Sequence, residues 1–124
     1  MTPRKLLFVL FSGDTCRQNH ALMYALDLHG KGYAVKLILE GEATRSVREI
    51  GIAGSRTGTL LREACDAGIV AGTCERASSG CASDDPSRKV AEVAREQGIG
   101  LLSGLAGHAS IEPFLRDGYE LVVL

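Results

Sequence analysis

At 124 residues, 45% of them hydrophobic, the chain has the size of one domain with a modest core. Lys and Arg number 14 against 15 Asp and Glu, with neither basic clusters nor aromatic ladders, so nucleic acid has no electrostatic footprint to bind. No apolar run approaches the roughly 18 residues of a membrane span, and the first ten residues are too short and wrongly flanked for a signal peptide. The expected compartment is therefore cytoplasmic, where four cysteines are reduced thiols, metal ligands or catalytic groups rather than a disulfide framework.

Lys5 to Phe11 (KLLFVLF) is a continuous apolar run without alternation, as in a central parallel strand covered on both faces. Ser12, Gly13, Asp14 and Thr15 follow as a turn, with Asp14 or Thr15 capping a helix that runs to about His29 before Gly30 ends it. In that helix Ala21, Leu22, Ala25 and Leu26 make one buried stripe. Met23, Tyr24 and Leu28 widen it beyond what a sheet alone covers, which predicts a partner surface and a homo-oligomer. Tyr33 to Glu40 (YAVKLILE) is the second strand, closed by Gly41, and its one polar interior residue, Lys36, predicts an edge position. Thr44 is a candidate cap for a short helix through Ile50. Residues 51–58 (GIAGSRTG) form a glycine-punctuated loop that lacks both G-x-G-x-x-G and the lysine of a phosphate-binding P-loop. Thr59 caps the next helix, with Leu60, Leu61, Ala64 and Cys65 on its inward face.

Ile69 to Gly72 reads as the third strand, with Cys74 where it ends and Cys81 beyond it among Ser78, Ser79, Gly80 and Ser83. Asp85 and Pro86 signal a helix start, Val90, Val93 and Ala94 its buried stripe and Gly98 its stop. Ile99 to Ser103 is the fourth strand, residues 104–110 (GLAGHAS) a loop at its C-terminal edge, Ile111 to Asp117 a short helix and Tyr119 to Leu124 the last strand. The alternation argues a three-layer α/β fold, a mainly parallel five-stranded sheet with helices on both faces, flavodoxin-like in general architecture. In a flavodoxin-like strand order the first and third strands flank the switch point, which would bring Cys16 toward Cys74.

A thiol at a strand's C-terminal edge faces the crevice where open α/β sheets bind ligands, which singles out Cys74. Arg76 lends positive potential, small residues leave room for an added sulfur, and Glu75 works against thiolate formation. Cys81, at C-x6-C spacing, is either a resolving or relaying thiol or an incidental member of a small-residue loop. Cys16 lies just beyond the first strand and is a third candidate, while Cys65 suits packing. His29 is explained by the helix C-terminus, whereas His20 follows Cys16 by one helical turn and His108 lies in a loop at the edge that carries Cys74. Cys16, His20, Cys74, Cys81 and His108 offer thiolate and imidazole ligands without the compact spacing of a zinc site, so metal binding by these loop residues is the minority reading, and neither a metal nor a cofactor is expected. Ser12 and the N–H groups from Gly13 onward are candidate anion contacts, opposed by the charge of Asp14; turn formation explains the same residues.

The opening KLLFVLFSG, the apolar helix ending at Gly30, the strand closing at Glu40-Gly41 and above all LLREACDAGIVAGTC resemble the DsrE/DsrF-like (YchN-type) family over most of the chain. That resemblance implies a single DsrE/DsrF-like α/β domain over residues 1–124, assembled as a homo-oligomer (trimer or hexamer). It also implies sulfur relay or sulfurtransferase chemistry, with sulfane sulfur held as a persulfide on Cys74 and sulfur donor and acceptor proteins as partners. Cys81 and the stretch around His108 fall outside the matched pattern. The rival class is a non-catalytic oligomeric binding or assembly domain whose loop cysteines are dispensable.

Overall fold

Apolar runs bounded by glycines are the segments that can lie between two covering layers, and five of them form the sheet. In the computed structural model, which describes residues 3–81 and 89–124 (Cys81 by its backbone alone), the strands are β1 (Lys5–Leu10), β2 (Ala34–Leu39), β3 (Val70–Cys74), β4 (Leu101–Leu102) and β5 (Glu120–Val123). All neighbours are parallel, in the order β4-β3-β2-β1-β5. Between them run α1 (Thr15–Gly30), a 3-10 helix (Gly41–Glu49), α2 (Arg56–Asp66), a π-helical turn (Ala77–Cys81), α3 (Val90–Glu96) and α4 (Glu112–Arg116). Among the described residues no helix is long and apolar enough to cross a membrane.

Strand order and handedness together decide which face each helix covers. The steps β1 to β2, β2 to β3 and β3 to β4 all move the same way across the sheet, so right-handed crossovers put α1, α2 and α3 on one face. The return from β4 to β5 runs the other way and puts α4 on the opposite face. Packing agrees: Leu6, Phe8, Leu10 and Leu37 share one core with Leu22, Leu61, Val90 and Val93. Leu7, Val9 and Ile38 form a second, smaller core with Ala109, Ile111 and Phe114. Leu7, Leu10, Leu37, Ile38 and Leu39 are fully buried, each stabilising the fold by roughly 2 kcal/mol. The fold is thus the expected three-layer α/β arrangement, with unequal layers: the five-residue α4 leaves Phe11, Leu121 and Val123 on its side 47%, 41% and 57% exposed.

Several local expectations change. β2 is not an edge strand but lies between β1 and β3; Lys36 is tolerated there because its stem runs to the strand's N-terminal end, where Nζ donates to the Gly68 carbonyl at 3.0 Å. The order is not flavodoxin-like either, since β2 separates β1 from β3. Asp14 caps α1, its carboxylate accepting from the Arg17 N–H at 2.9 Å. Ser55 rather than Thr59 caps α2, which begins inside the expected loop; its hydroxyl accepts from the Gly58 N–H. Gly58 is required there because a Cβ would lie 1.9 Å from the Glu49 carbonyl oxygen. Thr44 caps nothing: it is buried within the 3-10 helix and donates to the Gly41 carbonyl. The wide apolar face of α1 is largely used within the chain, where Met23, Leu26 and Leu28 pack against the main core and Tyr24 stays exposed. The expected helix start at Asp85 and Pro86 lies outside the described residues.

Candidate functional site

Ligand crevices in open parallel sheets form where adjacent strands send their following connections to opposite faces. Here those strands are β3, which leads to α3, and β4, which leads to α4. Cys74 is the last residue of β3 and His108 sits in the loop after β4, so the fold brings the two together across the switch point. Cys74 Sγ lies 3.5 Å from His108 Nδ1. Glu40, directly after β2, completes the group: its carboxylate, Cys74 Sγ and the His108 ring nitrogen lie within 4.8 Å of one another.

The backbone around these side chains is held from both loops. After Cys74 the chain turns at once into helical geometry, anchored by a hydrogen bond between the fully buried hydroxyls of Thr73 and Ser78 at 3.0 Å. After β4, Leu105 and His108 exchange two backbone hydrogen bonds of 2.8 Å around Ala106 and Gly107, both left-handed (φ 48° and 91°), as in a type I′ hairpin turn. The Arg76 N–H donates to the Gly107 carbonyl at 3.0 Å, which ties the two loops together. Glu40 is steadied by the Gly41 N–H, which donates to Oε1 at 3.0 Å. Gly72, two residues before Cys74, lets β4 approach, since a Cβ there would lie 2.7 Å from the Gly100 carbonyl oxygen.

Cys74 is completely buried, and that burial pushes its thiol above the ordinary value. Hydrogen bonds from the backbone of Ala77 act the other way, the Glu40 carboxylate adds to the rise, and the backbone of Ala109 again opposes it. The cluster therefore offers a sheltered thiol with two N–H groups aimed at the sulfur and an imidazole within reach of its proton. Two spaces adjoin it. A crevice of about 360 Å³ lies between the two loops, lined by Glu75, Arg76, Ser79, Ser103 and Gly107. An apolar cavity of about 120 Å³ on the α4 side is lined by Val9, Ile38, Glu40, Ala109 and Ile111, with Phe11, Leu121 and Val123 at its rim.

Of the residues singled out from sequence, Cys74 and His108 meet in this cluster, and Arg76 lines the crevice beside it. Cys16 does not join the Glu40, Cys74 and His108 group; it is exposed in the first turn of α1, with Sγ 3.6 Å from His20 Nδ1. His20 Nδ1 donates to the Cys16 carbonyl at 2.8 Å, which makes the ring a local helix contact rather than a base for that thiol. The side chain of Cys81 lies outside the described residues. Ser12 serves the turn, its hydroxyl accepting from the Asp14 N–H at 3.0 Å. Gly13 lines a different, polar cleft of about 390 Å³, where Glu42 packs so closely that its carboxylate would meet a Cβ at 2.4 Å. An anion at Gly13 would face that carboxylate as well as Asp14. Cys65 is half-buried against the main core, and burial raises its thiol. Sequence reasoning misses Glu40. Its signal is an acidic side chain closing an otherwise apolar strand (LILE-G), at the edge where parallel sheets keep their chemistry.

Fold and crevice define a small parallel α/β protein with a thiol, imidazole and carboxylate gathered at the sheet's switch point. No family model and no solved structure matches the chain. An uncharacterized protein of Archaeoglobus fulgidus is 43% identical over 44 residues, which is 36% of this chain and 72% of that protein. Over that stretch the two chains belong to one family, and the relative's description carries no activity.

Proposed function

We propose that the protein carries sulfane sulfur as a persulfide on Cys74. The observation that supports this reading is the setting of Sγ: at the C-terminal end of β3, beside an imidazole nitrogen 3.5 Å away and receiving backbone hydrogen bonds from Ala77 and Ala109. In the transfer, Cys74 gives its proton to His108 Nδ1 and the thiolate attacks the outer sulfur of a donor persulfide. The donor's S–S bond breaks, its inner sulfur leaves as a thiolate, and the new S–S bond is that of Cys74 persulfide; one such bond is lost and one gained, with no net oxidation. The same N–H groups that favour a thiolate suit the persulfide anion that replaces it. Because Cys74 is buried, loading requires a local movement that uncovers Sγ.

The test is intact-mass analysis of the chelator-treated protein after exposure to a persulfide donor, before and after reductant. One reductant-labile sulfur in wild type, absent in Cys74→Ser and retained in Cys16→Ser, is expected. Loading that survives Cys74→Ser refutes the assignment. Lifetimes of the added sulfur in Cys81→Ser and wild type, with any internal disulfide, decide whether Cys81 resolves it.

The alternative, an oligomeric assembly domain, has its own observation in the exposed Phe11, Leu121 and Val123 around the apolar cavity. On this reading the assembling surface is the α4 side of the sheet, not α1, and the product is a trimer or hexamer. Light scattering that returns a monomer at every working concentration rules it out.

A further inference from the structure

We infer that Glu40, Cys74 and His108 form a three-ligand site for a thiophilic divalent cation of the zinc type. The inference goes beyond sulfur transport and concerns what else the same sulfur can bind. The donor set is one thiolate, one imidazole and one carboxylate, which selects zinc-like ions over magnesium or calcium, whose ligands are oxygens. The geometry is already close to what the ion demands. Bonds of roughly 2.3 Å to sulfur and about 2.0 Å to nitrogen at a tetrahedral angle separate those two atoms by about 3.5 Å. Cys74 Sγ and His108 Nδ1 stand 3.5 Å apart. The carboxylate lies within 4.8 Å of both.

The surroundings support a metal-bound thiolate in two further ways. Hydrogen bonds from the backbone of Ala77 and Ala109 reach the sulfur, and the Gly41 N–H holds Glu40 Oε1 at 3.0 Å, leaving the second oxygen for the ion. Three ligands, from the ends of β2 and β3 and from the loop after β4, leave the fourth position of a tetrahedral ion open. Binding replaces the Cys74 S–H bond by a sulfur–metal bond and releases the proton to solvent. It takes up the lone pair that the sulfur would use in attacking a donor, so metal and added sulfur exclude each other.

The experiment uses the full chain, stripped with chelator and titrated with Co(II) and then Zn(II). The expected result is one Co(II) per chain with a thiolate-to-cobalt charge-transfer band, displaced by Zn(II). The band should vanish in Cys74→Ser and persist in Cys16→Ser. In Glu40→Gln and His108→Asn, affinity should fall by about tenfold or more. In wild type, Zn(II) should protect Cys74 from alkylation and slow its sulfur loading, a readout that needs no variant to fold. A missing band, a band that survives Cys74→Ser, or alkylation of Cys74 at the same rate with and without Zn(II) overturns the inference. Sulfur loading in chelator is scored separately: stripped protein that loads sulfur but binds no metal defeats the metal site alone, and protein that binds Zn(II) but never loads sulfur defeats the carrier reading alone.

Discussion

Gly58→Ala sets two effects of opposite sign against each other, and the structure decides between them. Gly58 is the third residue of α2, where alanine would ordinarily gain at most about 1 kcal/mol through helix propensity. Its new Cβ, however, would lie 1.9 Å from the Glu49 carbonyl oxygen, 2.6 Å from the Glu49 carbonyl carbon and 3.2 Å from the Ile50 nitrogen. All three atoms are backbone, so no rotamer relieves the clash. The start of α2 must move away from the end of the 3-10 helix, straining the contact from the Ser55 hydroxyl to Glu49 Oε1 at 3.2 Å. Overpacking costs about 1 to 3 kcal/mol, and a backbone-on-backbone clash belongs at the upper end. The expected net loss is therefore about 2 kcal/mol, or roughly 8 °C in melting temperature for a domain of this size. With an m-value of about 1.5 kcal/mol/M, the urea midpoint should fall by roughly 1.3 M at unchanged slope. Gly30→Ala is the control: it lies at the end of α1, where a Cβ would meet nothing within 4 Å, and should stabilise by about 0.5 kcal/mol. A Gly58→Ala protein as stable as wild type would refute the close approach of α2 to the 3-10 helix.

Thr73→Val removes one of two fully buried hydroxyls that bond each other below Cys74 and should cost about 1 to 2 kcal/mol; an unchanged urea midpoint would mean that the pair does not anchor the turn after β3. Among Cys16, Cys65 and Cys74, native alkylation followed by mass spectrometry should label the exposed Cys16 first, with Cys65 and Cys74 slower because burial both shields them and raises their thiols; Cys74 labelled ahead of Cys16 contradicts this. Arg4 holds the Glu120 carboxyl below its ordinary value, so what the pair adds is present above the ordinary carboxylate range and is lost as pH falls through the lowered value. Both side chains are exposed, so Glu120→Gln should leave the denaturation midpoint at neutral pH and physiological salt within error, and a clear drop would contradict that weak role.

Apolar runs are enough to locate all five strands, and the reading is plainest where a strand is buried on both faces: KLLFVLF holds β1, and the run that reaches VAGTC holds the β3 that ends in the candidate thiol. Strand order is harder. It depends on which neighbour each strand chooses, and the one local cue, Lys36 as an edge marker, fails because a long side chain can carry its charge out of a central strand. The site is half legible. Cys74 and His108 can be placed at one sheet edge from their positions after strands, whereas their 3.5 Å contact follows from β3 and β4 being adjacent, which no local pattern encodes. Glu40 has a local signal in closing an apolar strand, but its place beside Cys74 follows only from β2 lying next to β3. A flavodoxin-like order would draw Cys16 toward Cys74, and with β2 interposed that inference has no basis.

Burial and reactivity pull in opposite directions at Cys74, and their balance is what the site controls. Cys16 is exposed and meets any general oxidant or alkylating agent first, yet its neighbouring imidazole is occupied by a backbone carbonyl. Cys74 is fully buried and its thiol is raised, so it is a poor nucleophile toward anything that merely diffuses by. What it has instead is direction: two backbone donors on the sulfur, an imidazole nitrogen beside it and a carboxylate facing it, all fixed by three loops that the sheet order brings together. For the proposed chemistry to occur there, Sγ must be uncovered or an ion must displace the thiol proton. Selectivity at such a thiol comes from access and coordination rather than from intrinsic acidity.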